Sequence, residues 1–212
     1  MSESAILECL ERLAPDFGVP AGTPLLPRTA AYLFELSRWN ASTNLVGRLS
    51  DEELAAHALE SLLGAPLLDP EDRVVDIGSG GGFPGVPLAL AGLHVTLLEP
   101  RERRAAFLRH VVRTLGGMRA TVKTGRLEEL GRGSFTAATV RGVGDLATLV
   151  GPGDFLGQRG KLLAWTADGE RLETELQPRF ARERRLPIPR SERREIVLFR
   201  KCSTWNNAPL DG

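Results

Sequence analysis

Cysteine is scarce in this chain of 212 residues: there are two, Cys9 and Cys202, near opposite ends and outside any CxxC pair. That excludes a disulfide framework and a cysteine zinc site, leaves both thiols as bystanders, and gives no reason to expect a metal. Long apolar runs are missing too: nothing approaches the roughly 18 consecutive apolar residues of a membrane-spanning helix, so no membrane partner is expected. The opening MSESAILECLERL is acidic and has no basic segment ahead of an apolar one, so a signal peptide is not expected and the expected compartment is the cytoplasm. Net charge is absent as well, with 27 basic and 27 acidic residues. The zero hides a separation. Residues 1–76 carry five basic and thirteen acidic side chains, residues 101–126 eight basic and one acidic, and residues 179–201 nine basic and three acidic. Such basic blocks are either solvated faces or a footprint for a phosphate backbone, and composition alone does not choose.

What is present is the composition of an ordinary globular protein, 42% hydrophobic and 25% charged, long enough for a buried core. Residues 3–14 place Ile6, Leu7, Leu10 and Leu13 at helical spacing, residues 25–40 read as a second helix, and Ser50 with Glu53 opens a third over 51–63 with a capping-box pattern. From Arg73 the rhythm changes to strands alternating with helices. Strands are expected at 73–77, 94–99, 120–124, 135–140, 161–165 and 195–200, and helices at 84–91, 101–115, 145–150 and 168–180. Alternation of this kind gives an α/β fold with a parallel, doubly wound sheet. The expected organisation is a helical N-terminal extension (1–70), an α/β domain (71–201) and a fraying tail (202–212).

The glycine-rich stretch DIGSGGGFPG (76–85) follows the first expected strand. Crowded glycines at a strand end allow close approach to the backbone or a turn with positive φ. A P-loop is excluded, because GxxxxGK[ST] does not occur. Gly80, Gly82 and Gly85 satisfy GxGxxG, and Glu99 lies about twenty residues on, as a ribose-binding acid should, so an NAD(P)-dependent oxidoreductase stays open. S-adenosylmethionine is the other ligand that lies over such a loop. Asp76, just before the first glycine, favours it: an anion there repels a pyrophosphate and suits a sulfonium and an ammonium group. Pro84 and Pro87 would set the first turn of the following short helix.

Several ordered pieces resemble the bacterial small-subunit ribosomal RNA methyltransferase G family, also called glucose-inhibited division protein B. RWNASTNLVG (38–47) is similar to its WNxxxNL signature, HALES (57–61) to its His-xxx-Asp-Ser helix, and VVDIGSGGGFPGVPLAL to its cofactor loop. HVTLLEPRERRAAFLRHV continues the likeness, as do GRLEEL (125–130) and TVRGVGDL (139–146). The resemblance implies a Rossmann-like class I S-adenosylmethionine-dependent methyltransferase sheet with an α-helical N-terminal extension. The implied reaction is methylation of guanine N7 in small-subunit (16S) ribosomal RNA, free or in a ribosomal particle, by a monomer. It also implies that Gly78, Gly80 and Phe83 contact the cofactor, that Leu127 and Glu128 frame the adenine, and that Arg141 stands at the site after the fourth strand. Glu60, the piece 142–146 and Thr166 depart from the family pattern, which keeps a different RNA or small-molecule substrate in view.

Guanine N7 carries a free lone pair, so no general base is needed, and the chain has no NPPY-type segment or Pro-Cys nucleophile after the fourth strand. Arg141 can grip a guanine edge, a phosphate or the methionine carboxylate with its planar fork. His57 reads as a packed core histidine, and Trp39 as an anchor between lead-in and sheet. Helix 101–115 carries Arg103, Arg109, His110 and Arg113 off its apolar stripe, and 182–194 reads as a basic loop with Arg184, Arg185, Arg193 and Arg194; these arginines are candidate RNA contacts.

Overall fold

The computed structural model describes residues 2–142, 144, 150 and 155–203. Three helices lead in: α1 (Glu3–Leu13), α2 (Leu25–Thr43) and α3 (Asp51–Leu62). Each of the first and third begins at a serine cap. Ser2 accepts the Ala5 amide, and at α3 the expected capping box forms, Glu53 N to Ser50 Oγ at 3.2 Å and Ser50 N to Glu53 Oε2 at 2.8 Å. A cap of this kind contributes about 1 kcal/mol.

The sheet and its helices follow in chain order: β1 (Arg73–Ile77), α4 (Gly85–Leu90), β2 (His94–Glu99), α5 (Glu102–Leu115), β3 (Ala120–Thr124), β4 (Phe135–Arg141), β5 (Leu156–Thr166), α6 (Gly169–Leu176), β6 (Phe180–Pro187) and β7 (Glu195–Lys201). The strand order is β3-β2-β1-β4-β5-β7-β6. β1 to β5 are mutually parallel where they pair, and β7 is antiparallel to both β5 and β6. The chain crosses from β3 at one edge back past β1 to β4, so the order reverses beside β1. A crevice at the carboxyl edge of such a reversal is where ligands bind in open α/β sheets.

Both faces of the sheet are covered, as parallel sheets require. On one, Val74, Leu97, Ala137, Leu163, Ile196 and Leu198 share a single core with α1 to α5. On the other, Val75, Ala138, Leu162, Val197 and Phe199 pack with Leu172 and Leu176 of α6. The lead-in is tied down by polar contacts as well: Arg28 Nη2 donates to Gly116 O at 2.6 Å, and Trp39 stacks on Phe107 and His110 of α5 at 5.7 and 5.2 Å. Trp39 is therefore the anchor the sequence suggested, to α5 rather than to the sheet itself.

Two expectations need correction. The helix expected at 168–180 stops at Leu176, because Gln177 precedes Pro178 and is held extended (φ −67°, ψ 149°). Of the basic stretch expected as a loop, 182–187 belong to the edge strand β6, and 188–194 form the connection to β7. Residues 181–185 of that strand are exposed, so it carries no buried alternation to read; charge on an edge strand blocks further pairing. The helix expected at 145–150 lies almost wholly outside the described residues, as do residues 204–212 of the expected tail.

Candidate functional site

The glycine loop leaves β1 and is stitched to the end of β2. The amides of Gly78 and Ser79 donate to Leu98 O at 2.9 and 3.1 Å, and Gly80 N donates to Glu99 Oε2 at 2.9 Å. The other oxygen of Glu99 accepts Arg101 N at 2.9 Å. Glu99 thus stands where the sequence put it, at the carboxyl end of β2 and facing the loop. Gly80 has φ +52°, and a Cβ there would meet nothing closer than Arg104 Nη1 at 3.5 Å. That is ordinary contact distance with a side chain, although the position is buried.

Its neighbours are tighter. A Cβ on Gly81 would lie 2.8 Å from Val46 Cγ1, and one on Gly82 (φ +102°) 2.8 Å from Val86 Cγ2 and 2.9 Å from the Tyr32 hydroxyl. One on Gly85 would strike Leu97 and Asp76. So bare backbone at 81, 82 and 85 admits this protein's own side chains, from the segment after α2, from α2 and α4, and from β1 and β2, and of these loop positions Gly80 is the least crowded. Tyr32 reaches across from α2 to donate to Gly81 O at 2.7 Å.

Asp76 is 1% exposed. Its Oδ1 accepts the Thr139 hydroxyl at 2.9 Å, while Oδ2 has no hydrogen-bond partner. Burial pushes its pKa up to about 6, against the pull of the Ser79 and Thr139 hydroxyls and of the Gly85 amide, which lies near but too poorly placed for a full hydrogen bond. A buried carboxylate without a cation at the head of the glycine loop fits a cationic ligand and opposes a pyrophosphate.

Arg141, the last residue of β4, is half-buried by its surroundings. Its Nη2 meets Glu60 Oε2 at 2.7 Å, its Nη1 donates to His57 O at 3.1 Å, and its guanidinium carbon lies 5.9 Å from the Phe83 ring centroid. Phe83 is 9% exposed and also receives His57 edge-on at 5.9 Å. His57 is therefore a half-buried wall of the site rather than a core histidine; burial, then Arg141 and Arg194, push its pKa down to about 4, so it is neutral near pH 7. A crevice of about 190 Å³ opens beside Arg141 at the ends of β4 and β5, lined also by Trp165, Thr166, Asp168 and Arg171. Thr166 uses its hydroxyl to accept Asp168 N at 3.0 Å.

Leu127 is 4% exposed in a 3₁₀ turn (Leu127–Glu129) after β3, with Glu128 exposed beside it. Both stand at the carboxyl edge, next along from Glu99. The basic candidates divide. Arg103, Arg113, Arg184 and Arg193 are exposed and have no ion pair among the described residues. Arg109 pairs with Glu102, Arg185 grips Glu195 with Nε and Nη2 at 2.6 and 2.7 Å, and Arg194 is bonded to Glu60. The sequence reading of these three as free phosphate contacts is corrected to that extent. It also missed Glu60 as a hub, although a glutamate among Ala55, Ala58, Leu59 and Leu62 on a buried helix face was a signal. It missed Asn40, whose side chain accepts Val46 N at 2.9 Å and donates to Gly47 O at 3.3 Å, shaping the segment that fills Gly81.

A family profile described as GidB, rRNA small subunit methyltransferase G, matches residues 26–186. The ribosomal RNA small subunit methyltransferase G of Halorhodospira halophila is 38% identical over 171 residues, 79% of this chain and 80% of that protein. The protein of the same name from Syntrophotalea carbinolica is 30% identical over 210 residues, 91% of this chain and 97% of that one. Among solved structures, the tRNA methyltransferase TrmK of B. subtilis superposes with a TM-score of 0.58 at 18% identity, covering 68% of this chain and 65% of that one. An O-methyltransferase from Bacillus cereus in complex with SAH gives 0.57 at 17% identity, covering 81% and 91%. At those identities the likeness is one of fold.

Proposed function

Because the chain belongs to the rRNA small subunit methyltransferase G family, we propose that it methylates N7 of a guanine in small-subunit (16S) ribosomal RNA, with S-adenosylmethionine as donor. The observation that supports the donor site is Asp76 at the head of the glycine loop, a buried carboxylate whose Oδ2 lies against Gly85 without a hydrogen-bond partner among the described residues. When bound, S-adenosylmethionine supplies a methyl group on a positively charged sulfur. Asp76 answers that positive charge, half-exposed Gly78 and side-chain-free Gly80 line the turn, Glu99 offers its remaining lone pairs to hydroxyl donors, and Leu127 with Glu128 borders the far side. Phe83 closes the crevice under Arg141.

The acceptor N7 has a lone pair and no proton to lose, so the protein's task is to hold the base in line and exclude water. His57, neutral near pH 7, adds neither charge nor a base to that task. Arg141 orients the substrate or the donor's carboxylate through its fork. The exposed arginines Arg103, Arg113, Arg184 and Arg193 supply a sequence-independent hold on phosphates. The helical segment 1–70 braces the glycine loop, residues 71–201 form the catalytic sheet, and the enzyme works as a cytoplasmic monomer on RNA or on a ribosomal particle.

Calorimetric titration with S-adenosylmethionine, its demethylated product and NAD tests the donor. Transfer of labelled methyl groups to naked rRNA, isolated small subunits and assembling particles tests the acceptor. The expected result is binding of the first two ligands and not NAD, with label at a guanine N7. Tight NAD binding, or label confined to another nucleoside position, would refute the reading.

A further inference from the structure

Glu60 is shared by two arginines. Its Oε2 accepts Arg141 Nη2 at 2.7 Å and Arg194 Nη1 at 2.8 Å, and its Oε1 accepts Arg194 Nη2 at 2.7 Å. The Glu60 side chain is 2% exposed, that of Arg141 15% and that of Arg194 41%. The cluster joins three elements: α3, the end of β4, and the connection between β6 and β7. Trp165 Nε1 fixes the hub from a fourth by donating to Glu60 O at 2.9 Å.

Charge balance in this cluster leaves one arginine over. Arg141 alone would neutralise Glu60, and adding Arg194 gives a net formal charge of +1 in a place where His57 stays neutral. A second guanidinium brought to a buried carboxylate that is already paired gains little stability, since the first partner has answered the need. The connection that carries Arg194 is not loose: Ile188 within it is 2% exposed, Ile188 N donates to Arg194 O at 3.0 Å, and Arg194 Nε donates to Ser191 Oγ at 3.3 Å. After these bonds one N–H on each Nη of Arg194 has no partner among the described residues, on the more exposed of the two arginines. Arg193, exposed, stands next to it.

We propose that Arg194 is a substrate-positioning residue: yoked to Arg141 through Glu60, it takes a backbone phosphate of the RNA close to the nucleotide being methylated. The inference rests on the methyltransferase reading above and names the contact that couples RNA docking to the donor site. Glu60 is the positioning residue for both arginines. Neither Arg109 nor Arg185 has such a link, because each is paired away from Arg141.

Three variants, Arg194→Ala, Arg194→Lys and Glu60→Gln, would be compared with wild type by equilibrium binding of small-subunit rRNA at several salt concentrations, by calorimetry with the donor, and by thermal unfolding. Arg194→Ala is expected to weaken RNA binding about tenfold and to lower the slope of log Kd against log salt by about one, with donor affinity within about twofold of wild type. Arg194→Lys should recover the slope but only part of the affinity, because a point charge replaces the fork. Glu60→Gln should weaken RNA binding and also donor binding, since it releases Arg141. If Arg194→Ala stays folded with unchanged RNA affinity and slope, Arg194 is a structural ion pair and the proposal is wrong. It is equally wrong if the loss falls on donor affinity instead, for the pair then serves the donor's carboxylate. A wild type that bound no donor would sink the methyltransferase reading, while the RNA arm would still judge Arg194.

Discussion

Asp76 and Glu60 are both carboxylates buried to 1% exposure, one near the end of β1 and one on α3 against the end of β4, and their surroundings are opposite. Asp76 has a hydroxyl on one oxygen and, among the described residues, no cation or full hydrogen bond on the other, which lies against Gly85, and its ionisation is opposed by burial. Glu60 has two guanidiniums and more positive charge than it can balance. Depth of burial is the same, so the difference lies in what the fold supplies as partners. One carboxylate lacks a cation and the other has one to spare. A charge deficit at the first and a charge surplus at the second match a donor that is cationic at its reactive centre and a substrate with a polyanionic backbone.

The comparison can be broken by removing each carboxylate. Glu60→Ala leaves two guanidiniums gathered with no counter-charge, and the expected loss is about 3 kcal/mol of stability in urea unfolding at neutral pH. Asp76→Asn should do the reverse. The folded-state pKa of Asp76 is raised to about 6, so between about pH 4 and pH 6 the native protein binds more protons than the unfolded chain. The stability from this group is full at low pH and declines as pH rises through 6. The variant is therefore expected to match wild type near pH 4 and to exceed it by on the order of 2 kcal/mol at pH 8. Donor affinity, read by calorimetry at pH 8, should fall more than tenfold. Should Asp76→Asn be less stable than wild type at pH 8, Asp76 would be a satisfied structural group and the contrast would vanish.

How much of this was legible in the sequence follows the distance over which each feature is determined. The loop 76–85, Glu99 at the end of β2 and the capping box at Ser50 are set by residues within one strand–loop–helix unit, and spacing sufficed to read them. The pairing of Arg194 with Glu60 spans 134 residues, and that of Tyr32 with Gly81 spans 49. Nothing local names the partner in those contacts, so the arginines that are paired could not be told from those that are not, nor the glycines that admit side chains from those at the ligand. β6 was hidden for another reason: at a sheet edge with residues 181–185 exposed, a strand needs no apolar alternation to form.

The smallest effect is expected where the site is braced rather than charged. Tyr32 is fully buried, packs edge-on against Phe83 at 5.6 Å, and donates its hydroxyl to Gly81 O at 2.7 Å. Burial first, and then the nearby Asp76, push its pKa well above the ordinary range, so the hydroxyl keeps its proton and remains a donor. Tyr32→Phe preserves the ring contact and removes only the bond, leaving Gly81 O without that donor. A loss of about 1 kcal/mol follows, or roughly 2–4 °C in Tm for a chain of this size. If the lead-in sets the loop, hydrogen exchange at the amides of residues 80–82 should quicken and donor affinity should fall a few-fold, while RNA affinity holds. Unchanged exchange at those amides would mean that the stitching of Gly78, Ser79 and Gly80 to the end of β2 is enough to hold the loop, and that α2 contributes packing alone.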